Sequence, residues 1–185
     1  MSASGELDYD KVLLGYSELS TDEIRFRPMI VRHEYSDLFE LDVDAICHGI
    51  NTKGTSGGLA GVVFQRYPET YEAYLNAVEE EALTAGEMLV TFENDKWVYN
   101  LVTQVNPGAD AKLEYISDAF AKMKNHATVK GVRTIGCPLI GSGIGGLNWI
   151  DVERKISGEW GVNNPNVVEL HIVSQHALPP RPWKV

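Results

Sequence analysis

The segment TIGCPLIGSGIGGLNW, residues 134–149, limits this chain more than any other. An apolar run from Ile135 to Ile140 stops at Gly141, and Ser142, Gly143, Ile144, Gly145 and Gly146 follow before Asn148 opens an amphipathic stretch. That order reads as a buried strand, a glycine-rich turn and a helix start. Such a turn exposes main-chain N–H groups and lets an anion approach without obstruction from side chains. The segment therefore points to an α/β fold and to a phosphate-bearing ligand, with a nucleotide as the first expectation.

A second segment repeats the design. In HGINTKGTSGGLAGVVFQRYP, residues 48–68, an apolar strand ends at His48 and a polar loop follows with Asn51, Gly54, Ser56, Gly57 and Gly58. Leu59, Ala60, Val62, Val63 and Phe64 then begin a helix. One such loop is an ordinary strand–helix connection. Two of them, each leaving an apolar strand and opening a helix, could clamp a diphosphate from opposite sides. In open α/β sheets, ligands lie beyond the carboxyl ends of strands, where both loops fall.

The remaining periodicity supports the same class. Residues 27–33 and 43–48 read as strands. Residues 68–83 carry Tyr71, Tyr74, Leu75 and Val78 at helical spacing, and residues 87–92 and 96–103 flank the turn Glu93-Asn94-Asp95 as a hairpin. Residues 112–126 place Leu113, Ile116, Phe120 and Met123 on one stripe, residues 132–138 and 167–173 are strands, and Asn148 caps a helix bearing Trp149, Val152, Ile156 and Trp160. The order implies a three-layer α/β/α sandwich around a mixed central sheet. Residues 1–23 read as an N-terminal extension, 24–176 as the domain and 177–185 as a proline-rich tail.

Composition excludes some functions. The net charge is −10, from 16 Lys and Arg against 26 Asp and Glu, which disfavours a protein that holds nucleic acid along its phosphate backbone. A small anion is still compatible, because local amides outweigh a distant acidic surface. No apolar stretch has the length of a membrane span, and the N-terminus lacks a signal-peptide pattern, so no membrane partner is expected. Cys47 and Cys137, each in an apolar run, read as buried thiols in a reducing cytoplasm. Neither a metal cluster nor a cofactor is indicated, and oligomeric state is not legible.

Gly141, Gly143 and Gly146 fit the spacing of a dinucleotide fingerprint. They lie near the C-terminus, and the nearest acidic residue, Glu169, falls within the last strand, so a Rossmann oxidoreductase is disfavoured. Neither loop ends in the lysine and hydroxyl residue of a P-loop. His48 is the only histidine beside a glycine-rich loop, and an imidazole there can activate water or protonate a leaving group. Asn51 is suited to holding hydroxyls or a water, or to shaping the turn.

Several segments resemble, in order, those of macrodomains, the ADP-ribose-binding α/β/α modules: SDLF (36–39), DAICHGIN (44–51), GTSGGLA with FQRYP, the GEMLVTF and WVYNLVT hairpin, and PLIGSGIGGLNW. The resemblance covers residues 29–173 and is closest to the branch of ADP-ribose 1″-phosphate phosphatases and terminal ADP-ribose protein glycohydrolases. It implies that Asp37 contacts adenine with Leu38 beside it, that Gly57, Gly58 and Leu59 line the first diphosphate loop, and that Ser142, Gly143, Ile144 and Gly145 line the second. Asn51 matches a ribose-contacting asparagine, and His48 a histidine proposed as catalytic in the phosphatase members. The glycohydrolases carry a lysine where this chain has Gln104 and an aspartate where it has Gly145, so their lysine-linked route is closed here. The resemblance therefore implies binding of ADP-ribose derivatives with hydrolysis at the distal ribose, foremost of ADP-ribose 1″-phosphate. The alternatives are a binding module without turnover and an ADP-ribosyl-ester hydrolase that uses water.

Overall fold

In the computed structural model, which describes residues 30–160 and 168–181, the apolar runs become six strands of one sheet. They are β1 (Ile30–His33), β2 (Ala45–Ile50), β3 (Met88–Glu93), β4 (Lys96–Val102), β5 (Thr134–Cys137) and β6 (Glu169–Val173), in the spatial order β1-β6-β5-β2-β4-β3. All neighbours are parallel except β3 and β4, which form an antiparallel hairpin. Asn94 and Asp95 close that hairpin with φ of 53° and 56°, which these residue types tolerate in a two-residue turn. Residues 27–29 of the expected first strand lie outside the described residues.

Among the described residues four helices cover the two faces: α1 (Gly58–Arg66), α2 (Pro68–Glu79), α3 (Leu113–Lys130) and α4 (Trp149–Trp160). Strand alternation sorts the core. Ala45 and Cys47 of β2 join the cluster of Ile116, Phe120, Met123, Val152, Ile156 and Trp160 under α3 and α4. Ile46 faces the other way, with Val63 of α1, and Ile50 packs with Phe64 and Tyr74. This is the expected α/β/α sandwich with a mixed sheet.

The helix expected over residues 68–83 ends at Glu79, and the left-handed φ of 53° at Glu81 turns the chain out of the helix. Leu75, placed on its apolar stripe, is exposed, whereas Tyr74 is fully buried. Asn148 caps α4 as expected, its Oδ1 accepting the Ile150 N–H at 2.9 Å. Residues 177–181 have no regular structure but are packed: Leu178 is buried, and Arg181 Nε donates to Glu153 Oε1 at 2.8 Å.

Candidate functional site

β2 and β5 are adjacent, parallel and interior to the sheet, so the loops that leave them emerge side by side at the carboxyl ends of the strands. Between them lies a cleft of about 490 Å³. Residues 48–51, Thr55 and residues 57–60 form one wall, and residues 138–145 form the other. A third segment after β4, with Thr103, Gln104, Pro107 and Gly108, completes it.

Both main walls present unpaired main-chain donors. Gly57 is the N-cap of α1 and supplies no side-chain acceptor, so the first-turn N–H groups beside the cleft are uncapped. The helix dipole adds partial positive charge there. In the second loop, Ser142 N bonds Leu139 O at 3.1 Å, Gly146 N bonds Gly143 O at 3.1 Å and Leu147 N bonds Gly141 O at 2.9 Å. Among the described residues the N–H groups of Gly143, Ile144 and Gly145 have no acceptor.

Glycine makes this shape possible. Gly58 has φ +53° and Gly141 φ +74°, both left-handed. A Cβ on Gly145 would stand 2.8 Å from Gly141 O and from Ala111 Cβ. Ile144, 60% exposed, leans across the cleft, its Cδ1 3.2 Å from where a Cβ on Gly58 would stand.

The polar side chains of the cleft are braced. His48, 1% exposed, lies edge-on to Phe64 and bonds Asn100 through Nε2 and Oδ1 at 2.6 Å. Its Nδ1 is buried without a partner. Burial pulls the imidazole down to about 4, and the Asn100 bond offsets only part of that fall, so His48 is neutral near pH 7. Asn51 donates from Nδ2 to Thr55 O at 2.8 Å and accepts the Lys53 N–H at 2.9 Å. Gln104 Nε2 donates to Asn106 O at 2.6 Å and to Gly108 O at 3.1 Å, folding the third segment on itself. No lining residue carries a formal charge, and His48 is the one imidazole. Among the described residues no group of three or more His, Cys, Asp or Glu side chains is placed to hold a metal ion.

Of the residues singled out in the sequence, the fold brings His48, Asn51, Gly57, Gly58, Leu59, Ser142, Gly143, Ile144 and Gly145 to this one cleft. Asp37 and Leu38 do not line it. Asp37 Oδ1 accepts the Phe39 N–H at 2.9 Å and caps a short 3-10 turn, Leu38–Glu40, while Leu38 is buried in the core beside Val43 and Val63. Sequence reasoning missed Asn100, Thr103, Pro107 and Gly108. For Asn100 there was a mark to follow: it is a polar residue inside the apolar run WVYNLV, where an unpartnered amide would be costly.

The DNA ADP-ribosyl glycohydrolase of Mycobacterium tuberculosis is 29% identical over 132 residues, 69% of this chain, which spans only 38% of that relative's length. The human ADP-ribose glycohydrolase OARD1 is 26% identical over 65% of this chain and 77% of its own. The macrodomain of Mycobacterium tuberculosis DarG superposes with a TM-score of 0.71 at 28% identity, covering 80% of this chain and 98% of that one. The family model described as Macro domain matches residues 47–156, more than half of the sequence, and the chain belongs to the macro domain family.

Proposed function

We propose that this chain binds ADP-ribose or a derivative in the cleft, with the diphosphate between the two glycine-rich loops. The observation that carries the reading is the pair of facing donor sets, the uncapped first turn of α1 and the free amides of Gly143, Ile144 and Gly145. Such donors suit a diphosphate without any cationic side chain. The ADP-ribosyl group in the names of the mycobacterial and human relatives supports the same ligand. The net charge of −10 argues against gripping a nucleic acid along its phosphates, so the ADP-ribosyl group itself is the handle. Two buried free thiols, Cys47 and Cys137, suit a reducing cytoplasm.

Hydrolysis at the distal ribose, with ADP-ribose 1″-phosphate as substrate, is a second reading favoured by one observation. His48 borders the cleft, and its Nδ1 has no protein partner. With the proton on Nε2, Nδ1 carries the free lone pair, and taking a proton from water requires the site to admit water to this buried atom. An imidazole at about 4 is a weak base near neutrality, so turnover by this route is slow. At the positions the resemblance assigns to the glycohydrolases' lysine and aspartate this chain has Gln104 and Gly145, which weighs against a lysine-linked intermediate.

Calorimetric titration tests the first reading. ADP-ribose is expected to bind at least about tenfold more tightly than AMP, which lacks the diphosphate. No heat with ADP-ribose at millimolar concentration overturns it. Phosphate release from ADP-ribose 1″-phosphate by the wild type and by His48→Ala tests the second, and equal turnover in the variant removes His48 from the chemistry.

A further inference from the structure

The third segment of the cleft offers a ligand something the two glycine-rich loops do not. Gln104 Nε2 donates to Asn106 O at 2.6 Å and to Gly108 O at 3.1 Å, so both of its amide hydrogens are spent. The reverse orientation would set Oε1 against two carbonyl oxygens, so the network fixes the amide as it stands. Among the described residues no donor reaches Oε1, and the atom is not sealed from solvent. Gln104 therefore lines the cleft with a side chain that accepts and cannot donate. Around it, Asp110 Oδ2 takes the N–H groups of Val105 and Asn106 at 3.1 and 2.8 Å, and Pro107 has none to give. Asn51 is its neighbour across the chain. Thr52 N and Oγ1 both donate to Val105 O, at 3.2 and 3.1 Å, and Thr103 N donates to Ile50 O at 3.2 Å, so residues 50–52 and 103–105 run side by side. Asn51 Nδ2 gives one hydrogen to Thr55 O at 2.8 Å and keeps the other free. Thr103 adds a hydroxyl to the same lining.

We infer that Gln104 makes the cleft selective for a nucleoside diphosphate whose outer phosphate carries a neutral, hydroxyl-bearing group, over one that ends in a further phosphate, and that its Oε1 accepts from one of those hydroxyls. This rests on the diphosphate lying between the two glycine-rich loops. A free amide donor, a hydroxyl and an acceptor-only oxygen match a ring with neighbouring hydroxyls, each of which donates and accepts. An ionised phosphate brings acceptors alone. It leaves Oε1 unmet once water is displaced, and an unmade bond costs more than a made one gains. Because two bonds already hold the Gln104 amide, little side-chain freedom is lost when a ligand meets it.

The test is calorimetric titration of ADP-ribose, ADP and ATP, without divalent cations, into the wild type, Gln104→Glu and Gln104→Leu. Glutamate keeps an acceptor oxygen and drops the amide donors, leucine has neither, and melting curves confirm that each variant is folded. The wild type is expected to bind ADP-ribose at least about threefold more tightly than ADP, and ATP at least about threefold more weakly than ADP. ADP shares the diphosphate, so the preference for ADP-ribose over ADP cancels the general effect of an added carboxylate on anions. That preference is expected to stay within about twofold of wild type in Gln104→Glu and to fall at least about threefold in Gln104→Leu. An unchanged preference in Gln104→Leu, or ATP bound as well as ADP by the wild type, overturns the inference. An equal fall in both variants also overturns it and assigns Gln104 to folding its own segment. Each of these results leaves the reading of the cleft standing; a wild type that binds none of the three nucleotides removes that reading, and the inference with it.

Discussion

His48 and Asn100 stand opposite each other at one register position of the parallel β2–β4 pair, Nε2 to Oδ1 at 2.6 Å. Asn100 Nδ2 is committed to Leu89 O at 2.9 Å and to Val98 O at 3.3 Å, so its Oδ1 is the acceptor and His48 keeps its proton on Nε2. The pair fixes tautomer and ring orientation together. It also makes the one imidazole of the cleft a neutral group under Phe64 instead of a freely titrating one.

That neutrality has a pH signature. Unfolded, His48 takes up a proton near pH 6.5; folded, it does so only near pH 4. Between those values the unfolded state binds more protons, so stability is full above about pH 6.5 and is lost as pH falls toward 4. The loss approaches about 3 kcal/mol at the lower end. Melting curves at pH 7 and pH 4.5 check this, with His48→Gln showing the smaller acid-induced drop. A nuclear magnetic resonance titration that places His48 near 6.5 contradicts it.

The second loop predicts a contrast between neighbouring glycines. Gly143 has no heavy atom within 4 Å of an added Cβ, and its φ is not left-handed, so Gly143→Ala shifts stability by less than about 0.5 kcal/mol. Gly145→Ala drives a methyl group to 2.8 Å from Gly141 O and Ala111 Cβ, and displacing main chain there costs about 1–3 kcal/mol. Urea denaturation of both variants measures the difference. Equal midpoints would mean that the loop yields more than its geometry shows.

Much of this arrangement could be read from the chain. Apolar runs ending in glycine mark the strands and the two loops, because buried parallel strands need continuous apolar residues and tight turns need left-handed φ. The Asn148 cap was legible for a local reason, since its acceptor serves an N–H two residues on. The braces were not legible. His48 meets Asn100 across 52 residues, and Asn51 meets Tyr74 across 23, through strand register and helix docking that no short pattern encodes. Asp37 and Leu38 fold into a capped turn and a core contact, and neither is among the residues that line the cleft.

A buried carboxylate outside the cleft lining holds the C-terminal segment in place. Glu153 of α4 is 1% exposed and sits between Arg32 Nε, 3.2 Å from Oε1, and Arg181 Nε, 2.8 Å from the same atom. Arg32 Nη2 also donates to Pro179 O at 2.7 Å, so the carboxylate ties β1 and the C-terminal segment to α4. Glu153→Ala leaves two guanidinium groups without their partner and is expected to destabilise by about 3–5 kcal/mol. Urea denaturation measures it, and ADP-ribose affinity of the folded variant stays at the wild-type value. A cost under about 1 kcal/mol would show that the tail is held by Leu178 packing alone.

The neutral lining of the cleft decides how binding responds to salt. A site built on lysine or arginine loses affinity steeply as ionic strength rises, because its attraction to phosphate is screened. Here the donors are main-chain amides and a helix terminus at contact distance, which salt screens little, and no lining side chain is charged. The protein's net charge of −10 acts over a longer range and opposes an anionic ligand, a repulsion that salt relieves. The two effects leave ADP-ribose affinity nearly flat: between 50 and 500 mM sodium chloride the dissociation constant is expected to change by less than about threefold. Calorimetry across that series checks it. A loss of tenfold or more on adding salt would assign the ligand to a cationic side chain outside the two loops.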